Sequence, residues 1–197
     1  MSKAPPSRGL PVHAVAIGAS AGGIDALLTL FDGYPAAARA AVVVVLHLPE
    51  DHESHLVEVF TNRLGVDARE AQPGAPVRPG VIHFAPPGYH LLVEHDRTFA
   101  LSCDPPVLYS RPSIDVLMES CADAYGSALA GIVLTGANED GARGLAAIKA
   151  HGGLTVAQDP ADAAHATMPQ AAIAAASPDH VLPLPQLRTL LHALVAP

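Results

Sequence analysis

Tryptophan is absent from the 197-residue chain, and aromatic residues make up only 4% of it. The core must therefore be built from Ala, Val, Leu and Ile. Lysine is as scarce: Lys3 and Lys149 are the two present, which makes a Schiff-base enzyme a poor fit. The two cysteines, Cys103 and Cys121, form neither a metal-ligand pair nor a disulfide framework. They read as free thiols of a reducing compartment. Charged residues are 15% of the chain and the net charge is −8, a balance that argues against a nucleic-acid or anionic-membrane surface. Long apolar runs are missing too. The longest block, Ala40 to Leu48, is too short to span a bilayer, and Met1 to Gly9 lacks the apolar centre of a signal peptide. The expectation is a cytoplasmic protein, not membrane-inserted, with no nucleic-acid partner.

What is present is 50% hydrophobic, enough for one compact domain of this length. Apolar strand-like runs alternate with helical patterns. Strands are expected at Val12 to Ile17, Val42 to Leu46, Val81 to Ala85, Gly131 to Leu134, Leu154 to Ala157 and His180 to Leu182. Helices are expected at Gly22 to Phe31, Glu53 to Leu64, Ser113 to Tyr125, Gly141 to Ala150, Met168 to Ala176 and Gln186 to Leu194. Ser113 is a good N-cap, with Asp115 in the first turn, and Pro169 suits a first helical turn. His90 to Val93 and Thr98 to Leu101 flank Glu94-His95-Asp96-Arg97 as a hairpin. Such alternation implies an α/β fold: a doubly wound, mostly parallel sheet with helices on both faces and a small antiparallel hairpin. Residues 1–11 read as an extended or disordered tail, and 12–197 as one domain.

The chain is organised around Ala14 to Gly23, Ala-Val-Ala-Ile-Gly-Ala-Ser-Ala-Gly-Gly. A strand ends there in small residues and a helix begins. Gly18-Ala-Ser20-Ala-Gly22 matches the Gly-x-Ser-x-Gly elbow, which exposes a serine hydroxyl beside backbone donors at a helix start. Two other readings compete. Small residues after a first strand also serve simple close packing of helix on strand. A dinucleotide fingerprint would want glycine where Ser20 stands, and an acid at the end of the second strand, where the chain has His47.

Sites in doubly wound sheets lie at the carboxyl ends of strands, near the reversal of strand order. Ser20 follows the first strand, His47 ends the second, and Asp140 lies after the Gly131 to Leu134 strand. Serine needs a base to take its proton, and histidine serves with an unperturbed pKa of about 6.5. A buried carboxylate fixes the imidazole tautomer and stabilises the cation. The chain order Ser, His, Asp differs from that of the α/β-hydrolases.

Several stretches in this order resemble the catalytic domain of the CheB-type protein-glutamate methylesterases of chemotaxis. They are Ile17-Gly-Ala-Ser-Ala-Gly-Gly23, Val45-Leu-His-Leu-Pro49, Gly80-Val-Ile-His-Phe-Ala-Pro-Pro-Gly88, Ser110-Arg-Pro-Ser-Ile-Asp-Val-Leu117, Leu134-Thr-Gly136 with Asp140-Gly-Ala142, and Ala166-Thr-Met-Pro169. The resemblance runs from about Val12 to Leu194. It implies Ser20 as nucleophile, His47 as general base and Asp140 as orienting acid, with backbone oxyanion donors at Ala21 and Ala137. It implies hydrolysis of glutamate γ-methyl esters on cytoplasmic helices of chemoreceptors, with methanol released, and deamidation of certain receptor glutamines. It implies no metal and no cofactor. Two departures stand out. Many members carry Gly-Met-Gly-x-Asp-Gly where this chain has Gly136-Ala-Asn-Glu-Asp-Gly141. The family's N-terminal receiver domain has no counterpart in the dozen residues before the first strand: either the chain is a stand-alone member, with a separate receiver protein as a candidate partner, or it is only the catalytic part, and both readings predict no phosphorylation control within it.

Other residues invite roles. His47, Glu50, His52 and His55 match no standard zinc spacing. Arg111 is read as a loop anchor or a substrate contact, His165 and His90 as cleft-lining or solvent-facing, and Met168 as packing or substrate-contacting. Arg63, Arg69 and Arg143 could steer an acidic surface or merely solubilise. Beside the receptor esterase stand two alternatives: an esterase on another ester, and a non-catalytic α/β binding module.

Overall fold

The computed structural model describes residues 12–47 and 55–196. The expected tail and the first two residues of the expected Glu53 to Leu64 helix lie outside this range. The parallel strands are β1 (Ala14–Ala19), β2 (Ala41–Leu46), β3 (Ala68–Glu70), β4 (Ile82–Phe84), β7 (Leu129–Val133), β8 (Leu154–Gln158) and β9 (His180–Leu182); β5 (His90–Val93) and β6 (Phe99–Ser102) form the antiparallel hairpin. The helices are α1 (Gly23–Leu30), α2 (Leu56–Leu64), α3 (Ile114–Tyr125), α4 (Ala142–Ala150), α5 (Thr167–Ala176) and α6 (Leu184–Val195). Strand order is β3-β4-β2-β1-β7-β8-β9, every neighbouring pair parallel. Winding runs outward from β1 through β2, then returns to β7 on its other side. The reversal therefore falls between β1 and β7, where such sheets carry their sites.

β1 and β2 are six residues each, buried throughout. Val42 to Leu46, five apolar residues in a row, suits a strand covered on both faces. Side chains alternate between the two layers. Val15, Ile17, Ala19, Val42 and Val44 pack with Leu27, Leu30, Phe60 and Leu191 of α1, α2 and α6. Ala14, Ala16, Val43 and Val45 pack with Ile114, Leu117, Met118, Leu145 and Met168 of α3, α4 and α5, and with Leu91 and Phe99 of the hairpin. The aromatics concentrate at one end of the first layer, where Phe60 lies 5.0 Å from Phe84 and 6.0 Å from Phe31 between ring centres.

Most elements follow the sequence pattern. β3 is the exception. Ala68-Arg-Glu70 has no apolar run, and it becomes a strand because β4 offers it an edge and α2 covers Ala68.

Small residues set how closely α3 approaches the sheet. A Cβ on Gly18 would lie 2.3 Å from Ile114 Cγ2, and one on Gly141 would lie 2.8 Å from the same atom. The start of α3 thus rests directly on the end of β1. Gly18→Ala is expected to force Ile114 aside and destabilise the fold by about 1–3 kcal/mol. Thermal unfolding reads this as a fall in Tm of about 2–4 °C per kcal/mol; an unchanged Tm would contradict the close contact.

One buried histidine makes the fold sensitive to pH. His83 on β4 is 4% exposed, its Nε2 accepts the Arg78 N–H at 3.2 Å, and its ring lies against Phe99. Burial pushes its pKa down from 6.5 to about 4. The folded state therefore stays neutral where the unfolded chain takes up a proton. Its contribution is complete above about pH 6.5 and is lost as pH falls toward about 4. Denaturant titrations should show stability dropping across that window, with a shallower drop in His83→Gln.

Candidate active site

Ser20 stands where the two central strand pairs end. The β1–β2 register runs to Ala19 opposite Leu46, and the next residues on each strand are Ser20 and His47. The His47 N–H donates to the Ala19 carbonyl at 3.1 Å, and the Ser20 N–H donates to the Thr135 carbonyl at 2.9 Å. Alternation puts Ser20 and His47 on the face covered by α3, the face of Ala16, Val43 and Val45. Adjacent strands are about 4.8 Å apart, so the two residues hold neighbouring positions, while among the described residues the His47 ring is hydrogen-bonded to Asp140 and Ser110 and not to Ser20.

The turn after Ser20 is pinned. Gly22 is left-handed at φ 77° and caps α1, and the Gly23 N–H donates to the Ser20 carbonyl at 2.8 Å. Thr135 Oγ1 donates to the Ala21 carbonyl at 2.9 Å, while the Thr135 N–H is held by Gln158 Oε1 at 2.9 Å. Among the described residues, neither the Ala21 nor the Ala137 N–H has an acceptor.

His47 Nε2 lies 2.9 Å from Asp140 Oδ2, with the histidine side chain 11% exposed and the aspartate fully buried. Asp140 sits at the N-terminus of α3 and collects further donors there. Ser113 Oγ donates to Oδ1 at 2.9 Å, the Ile114 N–H to Oδ2 at 2.6 Å, and the Asp115 N–H to Oδ1 at 3.0 Å. Burial pushes this carboxyl up, but the bonds from His47, Asp115 and Ile114 outweigh it and hold the pKa below the usual carboxylate range. An ionised Asp140 only accepts, so the imidazole proton belongs on Nε2.

Asp115 mirrors Asp140. It leads α3 but accepts the N–H groups of Gly141 and Gly144 at the start of α4, at 2.9 and 2.7 Å. Each helix start is thus capped by a carboxylate lying next to the other. Burial raises the Asp115 pKa, with the Gly144 N–H and Arg143 opposing and the nearby Asp140 charge adding to the rise.

The other ring nitrogen of His47 faces Ser110. Ser110 Oγ is 3.4 Å from His47 Nδ1, and Asn138 Nδ2 donates to Ser110 Oγ at 3.4 Å. Asn138 Oδ1 accepts the Asp140 N–H at 3.2 Å, which closes a ring of contacts round the imidazole. Of the three residues singled out from sequence, the structure joins His47 to Asp140 by a hydrogen bond and puts Ser20 at the adjacent register position. The other ring nitrogen is hydrogen-bonded to Ser110 Oγ and not to Ser20.

The remaining candidates separate clearly. Arg111 Nη1 donates to the Cys103 and Asp104 carbonyls, both at 3.3 Å, and anchors its loop. The His165 side chain is exposed, and the residue acts through its backbone, its carbonyl accepting the Gly136 N–H at 3.1 Å. Met168 is fully buried, and a Cβ on Gly136 would meet it at 2.5 Å, so it packs and presents nothing to a ligand. His90 neither lines a cleft nor faces solvent. It is buried on β5, its Nδ1 accepts the Ser113 N–H at 3.1 Å, and its Nε2 donates to the Pro105 carbonyl at 3.1 Å. Arg69 pairs with Asp67 and Arg143 with Glu119, while Arg63 lines a groove between α1 and α2. Glu50 and His52 lie outside the described residues.

Sequence reading passed over Ser110, Asn138, Thr135 and the capping role of Asp115. For Asp115 a signal existed, an acid in the first turn of a helix. For the other three no local pattern marks a hydroxyl or an amide that acts on a residue far away in the chain.

Comparison with known proteins agrees with this geometry. The family model described as CheB methylesterase matches residues 15–191. A Leptospira interrogans protein, provisionally named protein-glutamate methylesterase/protein-glutamine glutaminase, is 42% identical over 178 residues, which is 90% of this chain and 92% of that one. Protein-glutamate methylesterase/protein-glutamine glutaminase 2 of Anaeromyxobacter dehalogenans is 39% identical over 97% of this chain and 56% of its own length. The crystal structure of the Thermotoga maritima CheB methylesterase catalytic domain superposes with a TM-score of 0.88 at 28% identity, covering 94% of this chain and all of that one. Fold, strand-end site and these relatives lead to one assignment: the chain belongs to the CheB methylesterase family.

Proposed function

We propose that the chain hydrolyses glutamate γ-methyl esters on the cytoplasmic helices of chemoreceptors, releasing methanol, with Ser20, His47 and Asp140 as its catalytic residues. Family membership supports the reaction class. The observation that carries the residue roles is the buried His47–Asp140 pair, 2.9 Å apart, beside the register position of Ser20. A cytoplasmic location accords with this reading, and no helix among the described residues is long and apolar enough to cross a membrane.

Asp140 keeps the imidazole proton on Nε2, which leaves the Nδ1 lone pair to act as the base. In this reading the imidazole turns from Ser110 toward the neighbouring strand, and Nδ1 takes the Ser20 proton as Oγ attacks the ester carbonyl. The carbonyl oxygen becomes an oxyanion, and the Ala21 and Ala137 N–H groups are the donors that would receive it. Collapse expels methoxide, which leaves as methanol with the proton now on Nδ1. Water then attacks the glutamyl-Ser20 ester under the same base, and glutamate is released with Ser20 restored. A glutamine side chain follows the same path with ammonia as leaving group, the deamidation named for the relatives. Asp140 stabilises the imidazolium formed in each half.

Methanol release from methylated receptor membranes tests these roles. Ser20→Ala should abolish it, and Asp140→Asn should lower kcat by about 10⁴-fold, as loss of the orienting acid does in a serine triad. Ser110→Ala should keep a rate within about tenfold of the parent, since a second-sphere hydroxyl is worth far less than a nucleophile. Full activity in Ser20→Ala together with none in Ser110→Ala would move the nucleophile to residue 110.

A further inference from the structure

Next to Ser110 the chain exposes two apolar side chains that the chemistry does not use. Large exposed apolar side chains among the described residues are Ile24, Tyr89, Leu108, Tyr109 and Val181. Ile24, Leu108 and Tyr109 lie within four residues of Ser20 or Ser110 in the chain. Ile24 lies in the first turn of α1, just past Ser20. Leu108 and Tyr109 immediately precede Ser110, whose hydroxyl faces His47 at 3.4 Å. Tyr89 precedes His90, whose ring is bonded to Pro105 and Ser113 on either side of that segment. Exposed apolar groups scattered singly need no explanation, but Leu108 and Tyr109, side by side and next in the chain to the residue that faces His47, do.

The conformation of Leu108 and Tyr109 is unusual as well. Val107 and Ser110 exchange backbone hydrogen bonds at 3.1 and 2.9 Å. Leu108 and Tyr109 lie between them, both left-handed, at φ 48° and 64°. Such two-residue turns ordinarily hold Asn-Gly or Gly-Gly, because a Cβ is disfavoured at positive φ. Here two bulky side chains occupy the tip, and Tyr109 is 102% exposed. Arg111, bonded to the Cys103 and Asp104 carbonyls, ties the base of this knuckle down.

We propose that the Leu108–Tyr109 knuckle is a substrate-docking element that grips an apolar flank of the receptor helix carrying the methylated glutamate. The inference rests on the methylesterase reading. A methyl ester is small and uncharged, so recognition must come from the surface around it, and such remote contacts can be used to position the reacting group. Long-range electrostatics does not help, because a chain of net charge −8 repels the carboxylates that the reaction leaves on its substrate. Apolar contact beside the base is the attraction left. It is also continuous with the site, since the next residue after Tyr109 is the one that faces His47.

Two substrates separate docking from chemistry. In the double variant L108N/Y109N, asparagine tolerates the left-handed backbone while the apolar tip is removed. Its kcat/KM on methylated receptor membranes should fall by about tenfold or more, chiefly through KM, as expected for loss of an aromatic anchor. Hydrolysis of p-nitrophenyl acetate, which needs only the reacting groups, should change by less than about twofold. Tyr109→Phe should retain receptor activity, and so should Val181→Asn on the far edge of the sheet. Parental receptor kinetics in the double variant would overturn the docking role, and so would an equal loss on both substrates. Absence of methanol release by the parent protein would overturn the methylesterase reading itself, and the docking with it.

Discussion

A carboxylate with no exposure, held at the start of a helix, is the constraint on which the site depends. Asp140 accepts from two α3 backbone N–H groups, one serine hydroxyl and the His47 ring. Burying a charge is costly unless it is paired and hydrogen-bonded, and here both conditions are met by groups that belong to the fold. The orphan donors of α3 need an acceptor. Asp140 supplies it, and in being fixed there it also fixes the imidazole. Stability and orientation of the base therefore come from the same set of bonds. Asp115 returns the arrangement to α4, so the two helix starts hold each other in register above the strand ends.

The sheet determines why this happens at one place. Winding reverses between β1 and β7, and the loops after β1, β2 and β7 diverge to opposite faces only there. Ser20, His47 and Asp140 are far apart in the chain but leave three strands that are side by side. Glycine at 18 and 141 then lets Ile114, and with it the donor-bearing start of α3, come down onto the strand ends. A larger residue at either position would lift the helix and pull the acceptor away from its donors.

Much of this was legible in the sequence, for identifiable reasons. Val42 to Leu46 and Gly131 to Leu134 are apolar runs of strand length between glycines and helical patterns, and periodicity finds such segments easily. Ser113 announces the start of α3 by its type, and it does cap it, accepting the Val116 N–H at 3.4 Å. The Gly-x-Ser-x-Gly pentapeptide marks Ser20 as a residue at a bend. What was not legible depends on contacts across the chain. Ala68-Arg-Glu70 becomes a strand only because β4 is beside it. His90 reads as cleft-lining or solvent-facing and is buried between Ser113 and Pro105. Ser110 opens a stretch that carries the family resemblance, but nothing local gives it a role, yet it is the hydroxyl that faces the base. Met168 has the composition of a ligand contact and the burial of a core residue.

The account turns on which hydroxyl His47 activates, because Ser110 lies against Nδ1 while Ser20 follows the neighbouring strand. Mass-spectrometric mapping of the protein after treatment with a serine-directed fluorophosphonate tests this most directly. The account predicts a single adduct on Ser20, lost in His47→Ala and retained in Ser110→Ala. An adduct on Ser110, or labelling of Ser20 that survives loss of the His47 imidazole, would contradict it.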